Sequence, residues 1–576
     1  MLIIALFLVL VAALVVVAAR RVMRRDAETS ADGRALRRTF QYLLLLGLLA
    51  VVGAGLTGLL GRLFEPRVLV ARDEAALARD LAFVVVGAPI LVALVMWTRQ
   101  LLARDAEEAR SLGWAGYVSV AGLVTLVVAM TSLHRVLTWV AGLGEYDGGA
   151  IAGTLVWGAL WGAHWWADTR VTPPDHRRVH HVLGSVAGLA VAATGLAGVL
   201  AAGLRILLGI DGGAALAGGD RPMLRGLVTV AVGAPVWLVY WVRSLARSGR
   251  DPLWVGYVLL VGAGGGLLVA VVAASTVGYS VLVWLLGDPG SGSAGDHFSS
   301  APGTTAAAVV GAAVWWYHRT VLAGDAEVRS EVHRIYDYVM AAIGLLAAAA
   351  GLVTLLAALV EALAGAAFVG GAAVNTLLAA LTLLAVGGPV WWVQWRRTQR
   401  AAALDPAGEL RSPTRRGYLL VLFGIGVLVT VGALIAGVYL LFQDVVTGTV
   451  SAETLRRMRF PIGLVLATAG LAAYHWGVYR RDRQGDPRPA APRGPGFLLL
   501  VGAPDDGIVA ALARETGGHV LSWSRTDLEP RAWSVPEVLA ALDGLPDVGS
   551  QEIVVVAEVG GVRAIPVRRA SVVRRG

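Results

Sequence analysis

Thirteen apolar stretches, each close to the length that crosses a bilayer, recur along this chain of 576 residues. The first covers residues 2–19, and the cores of the rest fall at 40–62, 80–101, 114–138, 149–168, 181–208, 224–246, 254–286, 304–322, 336–363, 374–398, 417–442 and 459–480. A helix of about 20 apolar residues spans the hydrocarbon layer. Hydrophobic residues make up 57% of the chain and charged residues 15%, against about a quarter charged in a soluble domain. No aqueous core can hide that excess, so lipid must be the solvent for most of the chain. In lipid the backbone has to satisfy its own polar groups, which selects helices for segments of this kind.

The charges set an expected orientation. Arg20, Arg21, Arg24 and Arg25 follow the first stretch, whereas a cleaved signal peptide carries its positive charge in front. The expected reading is an uncleaved anchor with its N-terminus outside. Alternating the loops from there leaves about threefold more arginine on the inner side, as the positive-inside rule requires. The presumed outer loops at 142–150 and 287–303 hold no arginine, while those at 62–79 and 456–459 run against the trend. Thirteen spans then place the C-terminus in the cytoplasm of a bacterial cell, with the plasma membrane as the expected location. All 49 basic residues are arginine, there is no lysine, and Ala, Gly, Val and Leu abound, as in a GC-rich bacterial genome. The net charge of +9 reads as this cytoplasmic arginine. It does not read as a nucleic-acid surface, because the arginines lie between apolar runs. The absence of cysteine excludes disulfides, thiolate metal sites and cysteine nucleophiles.

An internal repeat organises the spans. The second helix of one set of hairpins carries Gly233-Ala-Pro235-Val-Trp237-Leu-Val-Tyr240-Trp241 and Gly387-Gly-Pro389-Val-Trp391-Trp-Val-Gln394-Trp395, with a looser version at Gly87-Ala-Pro89. The alternate hairpins end in Trp161-Gly-Ala-His164-Trp165, Trp315-Trp-Tyr-His318-Arg319 and Tyr474-His475-Trp476. Aligning these columns makes Leu94, His164, Tyr240, His318, Gln394 and His475 equivalent. His164 to His318 is 154 residues, and Tyr240 to Gln394 is again 154. Gly116-Tyr117, Gly256-Tyr257 and Gly417-Tyr418 open matching helices. The expected fold is an all-α polytopic bundle of three parallel four-helix repeats at 36–175, 176–330 and 331–486. An anchor and basic linker at 1–35 precedes them. A period of this length marks a tandem array, and its parallel sense differs from the inverted repeats of many transporters.

The Pro-Val-Trp and His-Trp columns resemble the bacterial membrane modules known as domain of unknown function 5671, over roughly residues 36–486. That resemblance implies tandem four-helix membrane units. It carries no activity with it. No copy keeps the whole pattern, since Pro235 and Pro389 lack the His, and His164, His318 and His475 lack the Pro.

Chemistry-bearing residues are sparse. His164, His318 and His475 are the candidate cofactor-binding positions, because histidines on facing helices can hold haem or relay protons. The alternative is an interfacial histidine satisfied by water and phosphate. His176, His180, His181 and His333 are expected in solvated cytoplasmic loops. Most of the 19 tryptophans fall at inner helix ends, with Trp139 and Trp284 near the outer face. This is the pattern of a one-sided interfacial belt or, alternatively, of an aromatic-lined pocket. No Asp, Glu or Arg falls at mid-span, which argues against ion-coupled transport. No catalytic constellation and no metal site is recognisable, and no bound cofactor is expected. Glycine, 72 residues in all, is expected to serve close helix packing.

Residues 487–495 form a proline-rich linker. Beyond it, 496–576 reads as a small cytoplasmic α/β domain in the order β-α-β-α-β-β, with a closing hairpin around Gly560-Gly561. The turn Gly502-Ala-Pro504-Asp505-Asp506-Gly507 imitates a nucleotide loop. Its two carboxylates would repel phosphate at the positive helix end, so capping is the expected role. The expectation for the whole is a non-enzymatic membrane scaffold or sensor, in contact with lipid and docking a protein through its C-terminal domain. A carrier of apolar substrates and a haem-bearing redox protein are the alternatives.

Overall fold

A computed structural model describes residues 33–65, 74–209, 221–290, 292–322, 331–364, 371–485, 495–502, 506–516, 518–525, 533–543, 545, 552–558 and 561–567. The first apolar stretch, at 2–19, lies outside the described residues, as do most of the linker and the turn at 503–505. The chain divides into two compact units, 1–479 and 480–576.

The first unit is built from long helices: α1 (Gly33–Phe64), α2 (Glu74–Arg104), α3 (Leu112–Val140), α4 (Gly148–Arg170), α5 (Pro174–Leu208), α6 (Pro222–Arg247), α7 (Pro252–Leu286), α8 (Ala301–Leu322), α9 (Glu331–Leu363), α10 (Gly371–Leu404), α11 (Pro413–Thr447) and α12 (Ala452–Gly485). Each contains one of the apolar cores read from the sequence. Ten of them are long and apolar enough to cross a membrane; α4 and α8 are not among these ten. Those two are the shorter helices that carry His164 and His318, and their tryptophans, histidines and glycines dilute the apolar residues. Residues 456–459, expected in a loop, belong to the first turns of α12, and Arg457 there meets Asp444 at the end of α11 (2.8 Å). The helix continues through them because that pairing satisfies the charge at its edge.

Helices pack in antiparallel pairs through glycine. A Cβ on Gly188 of α5 would fall on the Trp237 backbone of α6, and one on Gly233 would fall on Ala192. The same seam recurs one repeat later, with Gly344 of α9 against Trp391 and Gly387 of α10 against Ala348. Without a hydrophobic drive between helices in lipid, such backbone proximity supplies van der Waals contact that bulkier residues would prevent. The middle repeat differs from its neighbours in carrying π-helical turns at Leu238–Ser244 in α6 and Tyr257–Gly265 in α7. They bracket the connection between its two hairpins.

Short connections between hairpins are held by acids, of which Glu108 and Glu409 are buried. Glu108 accepts bonds from Arg37 (2.8 Å), Arg38 (3.0 Å) and Tyr42 (2.9 Å) of α1. Glu409 accepts from Arg334 of α9 (2.8 Å), and in the middle repeat Arg178 of α5 pairs with Asp251 (2.6 Å). Ser111, Asp251 and Ser412 cap the third helix of their repeats. The repeat thus extends from apolar pattern to polar fastening.

The second unit comprises β1 (Phe497–Val501), α13 (Asp506–Thr516), β2 (His519–Trp523), α14 (Val535–Asp543), β3 (Glu552–Glu558) and β4 (Gly561–Val567), the order read from the sequence. The strands lie in the order β2-β1-β3-β4, the first three parallel and β4 antiparallel to β3. Ile508 and Leu512 of α13 and Val538 and Leu542 of α14 close a core with Leu498, Leu500, Ile553 and Val555. Both helices therefore cover one face of the sheet.

Candidate functional site

A layer of aromatic and polar side chains runs where the hairpins meet, and the column aligned from sequence lies in it. Leu94, His164, Tyr240, His318, Gln394 and His475 are all buried. Each histidine sits on the last turns of a helix, over the tyrosine that opens the preceding one. The ring pairs are Tyr117–His164 (5.6 Å), Tyr257–His318 (5.6 Å) and Tyr418–His475 (6.0 Å).

Backbone geometry fixes the tautomers. Nδ1 of His164, His318 and His475 lies 2.7, 2.8 and 2.7 Å from the carbonyl four residues earlier. A carbonyl only accepts, so Nδ1 carries the hydrogen and a neutral ring offers Nε2 as acceptor. The Tyr117 hydroxyl donates to Nε2 of His164 (3.1 Å). Nε2 of His318 and of His475 is buried with no hydrogen-bond partner. The three histidines thus occupy matching seats, each in its own repeat. No group of three or more metal-ligating side chains is assembled among the described residues.

Tryptophan and tyrosine bind the hairpins together. Trp241 Nε1 donates to Tyr317 (2.9 Å), and Trp395 makes the equivalent bond to Tyr474 (2.7 Å). Trp237 donates to Tyr257 (3.0 Å) and Trp315 to Tyr336 (3.1 Å). Buried indole and phenol groups need such partners. The belt expected from sequence is therefore divided. Trp241, Trp254 and Trp395 are enclosed in protein, while Trp166, Trp316 and Trp392 face outward. Arg319 lies over Trp316 and Arg396 over Trp392.

The densest part of the layer joins the first two repeats. Trp161 Nε1 donates to the Tyr240 hydroxyl (2.8 Å), which lies 2.9 Å from His180 Nε2. On the other side of that ring, Nδ1 is 3.3 Å from Asp168 Oδ2, and His181 Nε2 is 3.4 Å from the same oxygen. Trp161 donates to the Tyr240 oxygen, so the hydroxyl donates to His180 Nε2, which leaves the ring hydrogen on Nδ1; that nitrogen and Asp168 Oδ2 are in close contact without forming a hydrogen bond. Asp168, His180 and Tyr240 are buried, and Gly122 of α3 leaves the space that the imidazole fills.

This arrangement corrects the expected loop positions of the other histidines. His176, His180 and His181 all belong to α5, and His333 belongs to α9. Proline at the helix start fixes φ for the first turn and extends α5 back through His176. His180 is the most enclosed of them. The available signal was Asp168, the sole acid in α4, ahead of the His180-His181 pair.

Fold and layer together define a helical, multi-pass integral membrane protein made of tandem four-helix repeats. The family described as domain of unknown function (DUF5671) matches it three times, at 38–159, 178–299 and 334–470, and the chain belongs to that family. Comparison with curated proteins and with solved structures returned no match.

Proposed function

We propose that the chain is a non-enzymatic scaffold or sensor of the bacterial plasma membrane. It spans the bilayer thirteen times, with its N-terminus outside and its C-terminal α/β domain in the cytoplasm. The observation that carries this reading is the buried cluster in which Trp161, Tyr240 and His180 are hydrogen-bonded across two repeats, with Asp168 in close contact with His180. Such a network couples the packing of adjacent modules and is suited to transmitting a change of state. Glycine seams along the helix pairs support a packed bundle over an open conduit. The separate seating of His164, His318 and His475 supports structural roles for them over a paired haem site.

The test is reconstitution into proteoliposomes, with flux of small solutes and amphiphiles measured against empty vesicles. No protein-dependent flux is expected, and robust transport of any substrate would refute the scaffold reading in favour of a carrier. A Soret band in the purified protein would instead establish the haem alternative. Impermeant labelling of single cysteines placed in the connections between helices decides the orientation.

A further inference from the structure

Parallel strands are ordinarily covered on both faces, but the sheet of the second unit has its two helices on one side. On the other face the register places Leu521, Leu499, Val554 and Ile565 in a continuous row. Trp523 and Arg563 end the neighbouring row on opposite edges of the sheet. The edges of this face are exposed, with Trp523 at 62%, Leu521 at 50% and Ile565 at 39%, while Leu499 at its centre is 8% exposed. An apolar surface of this kind, with polar groups at its rim, marks a docking face.

We propose that this face of the C-terminal domain docks on the surface of the lipid bilayer. The chain itself argues for that occupant. Ten peptide units join Gly485, the end of α12, to Pro495 at the start of the domain, and they extend to at most about 35 Å. Connectivity therefore holds the domain beside the membrane that α12 enters, at a high effective concentration. The composition of the rim fits as well. Tryptophan prefers the headgroup level, and a shallow apolar face rimmed by it has the chemistry of an interfacial binder. This inference rests on the reading of the helices as membrane spans.

The lack of cysteine permits a direct test on the full chain in nanodiscs containing anionic lipid. Trp523→Cys, Ile565→Cys, Glu515→Cys and Leu428→Cys are each labelled with an environment-sensitive fluorophore, and lipids spin-labelled near the headgroup or deep in the acyl chain serve as quenchers. Leu428 lies on the exposed side of α11 (73%), and its quenching by the deep probe reports the spanning reading separately. Positions 523 and 565 are expected to be quenched by the shallow probe at least about twofold more than position 515 on α13, as an interfacial face requires. Equal or absent quenching at 523, 565 and 515, with 428 still quenched, overturns the docking proposal alone. Loss of quenching at 428 overturns the spanning reading. Lipid-independent crosslinking of position 523 between two chains would assign the face to a second copy and also overturn the proposal.

Discussion

The Tyr240 hydroxyl and His180 Nε2 stand 2.9 Å apart, across the interface of α6 and α5. Through this contact a tyrosine of the repeated column engages a histidine whose other nitrogen faces Asp168, a residue of the preceding repeat. The pair thus belongs to the junction between modules.

Removing one partner from this chain should be costly. Replacing His180 by Ala strands the Tyr240 hydroxyl, at about 1–3 kcal/mol for a buried polar group, and adds the cost of the cavity left by the ring. Tyr240→Phe removes one hydroxyl and should cost about 1–3 kcal/mol, the penalty for stranding buried polar partners. Thermal unfolding followed by tryptophan fluorescence in detergent should rank the native chain above Tyr240→Phe, and that variant above His180→Ala. Equal midpoints would show that the network contributes nothing to stability.

The fastening at Glu108 should be sensitive to acid. Burial pushes its carboxyl pKa upward, but hydrogen bonds from Tyr42, Arg38 and Arg37 outweigh this and hold it below the usual carboxylate value. A carboxylate with a depressed folded-state pKa stabilises fully above its unfolded pKa. That contribution is lost as pH falls through the folded value. Glu108→Gln should therefore lower the unfolding midpoint at neutral pH, with the gap to the native chain closing in the acid range below ordinary carboxylate titration. A gap unchanged by acid would assign the effect to packing.

Two classes of glycine should respond oppositely. Gly188 and Gly344 hold back the Cβ that would strike a tryptophan backbone, so Leu at either should disrupt its helix pair. Overpacking of this kind costs about 1–3 kcal/mol or more. Gly116 has nothing within 4 Å of its would-be Cβ. Gly116→Ala should be neutral or gain up to about 1 kcal/mol from helix propensity. The contrast is measured in one series of thermal midpoints, and equal destabilisation at all three sites would remove the seam argument.

The tautomer assignment also has a consequence. Tyr117→Phe leaves His164 Nε2 without its donor, as His318 and His475 already are. Nitrogen-15 shifts of labelled imidazoles should place all three rings in the Nδ1–H form. They should also show the hydrogen-bond signature of His164 Nε2 vanishing in Tyr117→Phe. An Nε2–H form at His318 would contradict the bond to the Val314 carbonyl.

Much of this was legible from residue order. Each long helix follows an apolar core visible in the sequence, because span length is set by the bilayer and not by tertiary detail. The column of Leu94, His164, Tyr240, His318, Gln394 and His475 is buried at every position, since position in a repeat fixes position on a helix face. His180 was not legible in this way. Its neighbours Arg177 and Arg178 look like a solvated connection, and only the fold brings Asp168 and Tyr240 around the ring. Tryptophans were ambiguous for a related reason: adjacent residues such as Trp165 and Trp166 point in different directions. That α13 and α14, the helices described in the C-terminal domain, pack on the same face of its sheet was also hidden, because alternation reports that a strand has two faces but not how many helices cover each.

The glycine seam between α5 and α6 implies that the pair, not the single helix, is the smallest object with a finished surface. Cut between its members, either helix would present lipid with a bare trough of peptide backbone that acyl chains fill poorly. Biogenesis of this chain is then best served by hairpins entering the bilayer already closed, two strokes at a time.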